Sequence, residues 1–144
     1  MARLVDRLVA VLGRLTALVD VCLLFVVGGH TVTNAASGAG TALNMTRTWL
    51  DFGDAGIDQL RLTVRGNNSA VGTVVVSVHD VTNNVELCRV TLSGTTVTTY
   101  AGAWTPIEPT GEDVEVEARV IGDGAFDPVL YAIHLQGRTL QART

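Results

Sequence analysis

The sequence predicts an all-β fold, an antiparallel β-sandwich or jelly roll of seven to eight strands, preceded by an N-terminal amphipathic helix. Three observations predict it. From about residue 43 onward, apolar side chains recur at every second position, the period of a strand with one buried face. Glycine and proline fall between these runs, at Gly66, Gly72, Gly94, Gly111, Gly122 and Pro128. Before residue 23 the apolar period is helical instead.

That first segment carries a seam. Met1, Leu4, Leu8, Val11, Leu15, Leu18 and Cys22 are spaced alternately by three and four residues, the a/d pattern of a helical bundle. Val5, Leu12 and Val19 add a further apolar column, while Arg3, Asp6, Arg7 and Arg14 lie off the stripe. Gly13 costs a helix about 1 kcal/mol relative to alanine, so the helix is expected to lean on partners. The seam is therefore expected to be an oligomer interface, giving a homo-oligomer such as a trimer. Docking on a different protein, or on the chain's own sandwich, fits the same stripe. Arg3, Arg7 and Arg14 before an apolar stretch, with Ala35-Ala36-Ser37 beyond it, outline a signal peptide. Asp20 interrupts that outline, and residues 21–27 are short for its apolar region and too short for a membrane span, so the segment is expected to be retained.

In residues 23–32, β-branched side chains enter and Gly28 and Gly29 break the helix, so this segment is expected to extend and join the sheet. Residues 1–32 thus form the expected anchoring and oligomerisation segment. Residues 33–42 hold only Thr, Asn, Ala, Ser and Gly and are expected to be a flexible linker, leaving residues 43–144 as the sandwich domain. A strand is expected around residues 45–52. Leu60, Leu62 and Val64 alternate with Arg61, Thr63 and Arg65. Val74, Val76 and Val78 alternate with Val75, Ser77 and His79. Glu86, Cys88, Val90 and Leu92 define the next face, followed by a strand around residues 95–104. Val114, Val116, Ala118 and Val120 alternate with Glu115, Glu117 and Arg119, the pattern of a half-exposed strand. Val129, Tyr131, Ile133 and Leu135 form the last expected inward face.

Composition narrows the function. The formal charge of −4 argues against nucleic acid as a partner, because phosphate binding needs clustered positive charge. All ten basic residues are arginine. Cys22 and Cys88 are too isolated for a disulfide framework or a zinc site and read as small buried side chains. His30, His79 and His134 each lack a ligand partner at metal-binding spacing. Asp51, Asp54 and Asp58 around Gly53 and Gly56, and Asp123 and Asp127 flanking Gly124, could cage calcium, but Asp and Gly are also the ordinary chemistry of β-turns. There is no nucleophile elbow and no phosphate loop. No catalytic residue, cofactor or metal is therefore assigned, and the chain is expected not to be an enzyme. Most aromatic side chains sit at strand positions expected to point inward. Trp104, before Thr105-Pro106, and Phe126, in a Gly/Asp loop, are the candidates for ligand contact, because an exposed ring stacks on a sugar face.

Residues 49–138, through Gly72-Thr-Val-Val-Val-Ser-Val-His-Asp-Val-Thr-Asn83, Val90-Thr-Leu-Ser-Gly-Thr95 and Asp127-Pro-Val-Leu-Tyr-Ala-Ile-His-Leu-Gln136, resemble the jelly-roll, galactose-binding-like domains of tailed-bacteriophage virion proteins. The resemblance implies a structural virion role, as a capsid decoration, fibre or appendage subunit, with itself and other virion proteins as partners. It supplies no catalytic residue. Two alternatives stand beside it: a carbohydrate-binding adhesin module that takes a host-surface glycan, and a membrane-anchored protein of the bacterial cell surface.

Overall fold

The computed structural model describes residues 18–19, 25–33, 35–52, 57–108 and 113–138. They form two facing antiparallel sheets. In chain order the strands are β1 (Leu18–Val19), β2 (Phe25–Thr31), β3 (Thr41–Leu50), β4 (Gln59–Asn67), β5 (Val74–Asp80), β6 (Val85–Leu92), β7 (Thr98–Ala101), β8 (Thr105–Pro106), β9 (Val114–Ile121) and β10 (Val129–Arg138). The smaller sheet runs β3-β9-β5-β6. The larger has β10 and β4 at its centre. On the outer flank of β10, β2 pairs with its first half and β1 with its end; on the outer flank of β4, β7 and β8 share the edge in the same way. The larger sheet is thus four columns wide with both outer columns split, which is why ten strand segments appear where the turn signals suggested seven or eight.

The alternation read from the sequence builds the core. Leu60, Leu62 and Val64 of β4 are fully buried in one cluster with Val74, Val76 and Val78 of β5, Val90 and Leu92 of β6, and Val116 and Val120 of β9. Each such side chain contributes roughly 1.5–3 kcal/mol by leaving water. Cys88, 2% exposed, is a free thiol within that core.

Three bulges shift the phase. In β10 the register slips between Leu130 and Ala132, so Leu130, Ile133 and Leu135 face inward and Tyr131 is only half-buried. The expected inward face of Val129 and Tyr131 is corrected accordingly. A slip between Val78 and His79 makes Leu87 the extra residue of β6 and turns Glu86 outward, opposite His79. In β3, Leu43 pairs with Ala118 but Thr48 with Val116, so several residues of β3 bulge from the sheet. The Thr46 hydroxyl closes that gap: it donates to the Leu43 carbonyl at 2.6 Å and accepts from the Ala118 amide at 2.7 Å.

The N-terminal expectations need correction where they can be compared. Met1, Leu4, Leu8, Val11, Leu15 and Cys22 lie outside the described residues. Leu18 belongs to a strand, not a helix: it pairs with Arg138, and Val19 with Gly137, on the open flank of β10. The extended segment expected in 23–32 does join the sheet, as β2. Residues 33–42 are no free linker. Ala35 is fully buried, and the carbonyls of Ala35 and Ala36 accept from the amides of Gly124 and Gly122 at 3.1 and 3.0 Å. Small side chains allow that approach, since a Cβ at Gly122 would already meet Ala35 at 3.1 Å. Thr41 and Ala42 belong to β3.

Candidate functional site

The two outer faces of the sandwich differ in chemistry. On the smaller sheet, the outward rows of β9, β5 and β6 carry acids and bases that answer one another. Glu117, 2% exposed, holds Arg119 and Arg47; Glu115 lies 3.4 Å from Arg47; Glu86 binds Arg89, with His79 at 3.7 Å. The half-exposed strand expected over 114–120 is therefore covered at its centre. His79 is held below its ordinary value, first by burial and then by Arg119, which together outweigh the opposing pull of Glu86 and Glu117.

On the larger sheet the outward rows are Gln59, Arg61, Thr63 and Arg65 from β4, and Ala132, His134, Gln136 and Arg138 from β10. The register sets Arg61 opposite Gln136 and Gln59 opposite Arg138. Both pairs close: Arg61 Nε donates to Gln136 Oε1 at 2.9 Å, and Arg138 Nε to Gln59 Oε1 at 2.7 Å. Trp104 lies over them. β7 ends at Ala101, the Gly102 amide donates to the Leu62 carbonyl at 2.8 Å, and Thr105 pairs with Leu60, which brings Trp104 level with Arg61. A Cβ at Gly102 would run into the Arg89 carbonyl, so this crossing requires glycine. The guanidinium carbons of Arg61 and Arg138 sit 4.7 and 4.2 Å from the Trp104 ring centroid. Two cations on one indole, each hydrogen-bonded to a glutamine, fix both the ring and its surrounding donors.

The aromatic candidates separate. Trp104 is part of an organised polar face. Phe126 is half-buried: it packs against the core, and its ring closes over Gly72, where a Cβ would run into it. Its place in an Asp/Gly loop suggested exposure, but the loop folds back onto the 69–72 turn, where the Ser69 hydroxyl accepts from the Asp127 amide at 2.9 Å. Trp49, expected to point inward, is 61% exposed at the edge of the smaller sheet, opposite Glu115. The β3 bulge, invisible in the sequence, sets the side on which it emerges. Arg61, Arg138, Gln59 and Gln136 were not singled out from the sequence, although long polar side chains alternating along both central strands were the signal. Among the described residues no group of three or more His, Cys, Asp or Glu gathers as a metal site. Asp123 serves its turn, its Oδ1 accepting from the Ala125 amide at 2.9 Å. A separate cleft of about 370 Å³, lined by Phe52, Val85, Leu87 and Ile107, opens beside the β5–β6 turn.

Solved structures with this arrangement include a family 36 carbohydrate-binding module in complex with calcium and xylotriose. It shows 17% identity, a TM-score of 0.51 and coverage of 84% of this chain and 98% of that one. The chain has the fold of a carbohydrate-binding module. A second family 36 module, from a multidomain xylanase of the hindgut metagenome of Trinervitermes trinervoides, matches at 14% identity and a TM-score of 0.51 over 84% of this chain and 96% of that one. No family model and no curated protein match the chain. At these identities the likeness is one of fold. The resemblance of residues 49–138 to bacteriophage appendage domains reduces to the same jelly roll, which carbohydrate-binding modules share.

Proposed function

We propose that this chain is a carbohydrate-binding module and that it takes a polysaccharide on the outer face of its larger sheet. The observation that carries the reading is Trp104, held over Arg61 and Arg138 at 4.7 and 4.2 Å. A sugar ring has an apolar face of C–H groups and a rim of hydroxyls. An indole buries the first, and guanidinium and amide groups around it meet the second. Because the Gln59–Arg138 and Gln136–Arg61 bonds already fix these side chains, little rotamer freedom remains to be lost on binding. The fold shared with the family 36 modules agrees with this reading. Calcium, present in one of those structures, has no matching acidic cluster among the described residues, and no part of the reading depends on it.

The test is affinity electrophoresis in gels cast with xylan, barley β-glucan or polygalacturonate. Trp104→Ala is expected to lose retardation roughly tenfold, the scale of one lost aromatic platform, with its thermal melt retained. Trp49→Ala is expected to behave as wild type. Full retention by Trp104→Ala would overturn the assignment of the face. Loss in Trp49→Ala instead would move the platform to the exposed ring on β3.

A further inference from the structure

The furnishing of this face also specifies what kind of polysaccharide it takes, an inference that rests on the glycan-binding reading. We infer that the Arg61–Trp104–Arg138 face recognises an acidic polysaccharide through its uronate carboxylates. Three observations carry it.

The first is charge. The chain as a whole is acidic, at −4, yet no outward position of β4 or β10 is an acid, and three of them are Arg61, Arg65 and Arg138. The smaller sheet shows the contrast within the same fold. There Arg47, Arg89 and Arg119 are each answered by a glutamate at 3.4 Å or closer. On the larger sheet, Arg61 and Arg138 bond to neutral amide oxygens, and among the described residues no carboxylate lies within ion-pair distance of either.

The second is donor and acceptor balance. Around the ring, the amide oxygens Gln136 Oε1 and Gln59 Oε1 already accept from Arg61 and Arg138, so open donors outnumber open acceptors there. Guanidinium groups have no acceptor to offer. A neutral sugar hydroxyl satisfies itself best where donors and acceptors alternate. A carboxylate needs donors alone.

The third is shape. Arg138 engages Gln59 through Nε, which leaves its two terminal nitrogens side by side as a planar fork. That fork matches the two oxygens of a carboxylate in a bidentate pair. The fork lies against the Trp104 ring, 4.2 Å from its centroid, so a carboxylate that reaches it is held at the border of the indole. The proximity of two like charges to one indole is also relieved by an incoming anion.

The experiment is isothermal titration calorimetry of the full chain with polygalacturonate, the same polymer after methyl esterification, neutral xylan and dextran sulfate. Polygalacturonate is expected to bind at least about tenfold more tightly than its methyl ester, the scale of a charge-assisted bidentate pair. Arg138→Gln and Arg61→Gln should each lower that affinity while keeping the wild-type melt, and Arg89→Gln on the opposite face should not. Raising salt to about 0.5 M should weaken the acid polymer selectively, because exposed charges are then screened. Equal affinity for acid, ester and xylan would overturn the acidic selection and leave the glycan reading standing. Dextran sulfate binding as tightly as polygalacturonate would reduce the face to unselective anion attraction and overturn the carboxylate assignment. Binding to none of the four would sink this inference and the glycan reading together.

Discussion

Glu117 Oε1 accepts from Arg119 Nε at 2.8 Å, two residues along the same strand, while Glu117 Oε2 lies 3.2 Å from Arg47 Nη2. The carboxylate is 2% exposed, so its charge is tolerated only because both partners are in place. Removing one partner of a buried pair leaves an uncompensated charge, which costs about 3 kcal/mol. Arg119→Met is therefore expected to lower the unfolding free energy by that amount, read as a lower urea midpoint with an unchanged slope. Adding Glu117→Leu should restore part of it. A loss under about 1 kcal/mol, the range of a surface pair, would show that water reaches the carboxylate.

Thr46 presents a second dependence on a single polar group. Its hydroxyl serves the Leu43 carbonyl and the Ala118 amide together, inside a bulge that would otherwise leave both unmatched. Thr46→Val keeps the shape and strands two buried backbone groups, a change worth about 2 kcal/mol. Thr46→Ser should recover most of it. Equal stability of the valine and serine variants would mean that the bulge rearranges.

His79 makes stability depend on pH. Burial and Arg119 hold its folded value below the ordinary 6.5. The unfolded chain therefore takes up the proton first, and stability falls as pH drops through about 6.5, levelling once the folded group also titrates. Urea midpoints between about pH 5 and 8 should show this fall in the wild type and lose this component in His79→Gln. Glu86 pulls the His79 value upward, so Glu86→Gln should deepen the fall. An unchanged slope in His79→Gln would assign the effect elsewhere.

Cys88 is pushed up to about 12, first by burial and then by Glu86. Only the thiolate attacks disulfide reagents. In a Cys22→Ser background, Cys88 should resist DTNB at about pH 8 in the folded protein and react fully in urea, since the reagent's target is the ionised form. Rapid stoichiometric labelling without denaturant would show that the core around β6 opens far more readily than its packing implies.

Much of the sandwich was legible because β4, β5 and β9 keep strict alternation between turns: Leu60, Leu62, Val64 and Val116, Ala118, Val120 face inward as their spacing requires. The sequence could not show where alternation breaks. A bulge depends on the partner strand, so Tyr131, Leu87 and the outward turn of Glu86 follow from neighbours remote in sequence. The candidate face was legible only in part. Trp104 was marked by its setting before a proline, but the arginines that stack on it come from two other strands, and only the β4–β10 register brings them together. Phe126 and Trp49 exchanged their expected places for the same reason. Loop composition says nothing about what a loop folds back upon.

The position of β10 has a consequence for how the chain is made. It is the last described strand, yet it lies between β4 on one side and β1 and β2 on the other. A ribosome delivers the chain from its N-terminus at about 5–20 residues per second. The smaller sheet is complete once Ile121 has emerged, because β3, β5, β6 and β9 all precede it. In the larger sheet, β2 must wait for Val129–Ile133 and β1 for Gly137 and Arg138 before either finds its described partner. Until then the edge of β4 that β10 will cover, and the edges of β2, stand open in the nascent chain. That interval is when a holdase has most to cover, and a synonymous codon change that slows translation between residues 121 and 138 would lengthen it without altering a single contact in the finished fold.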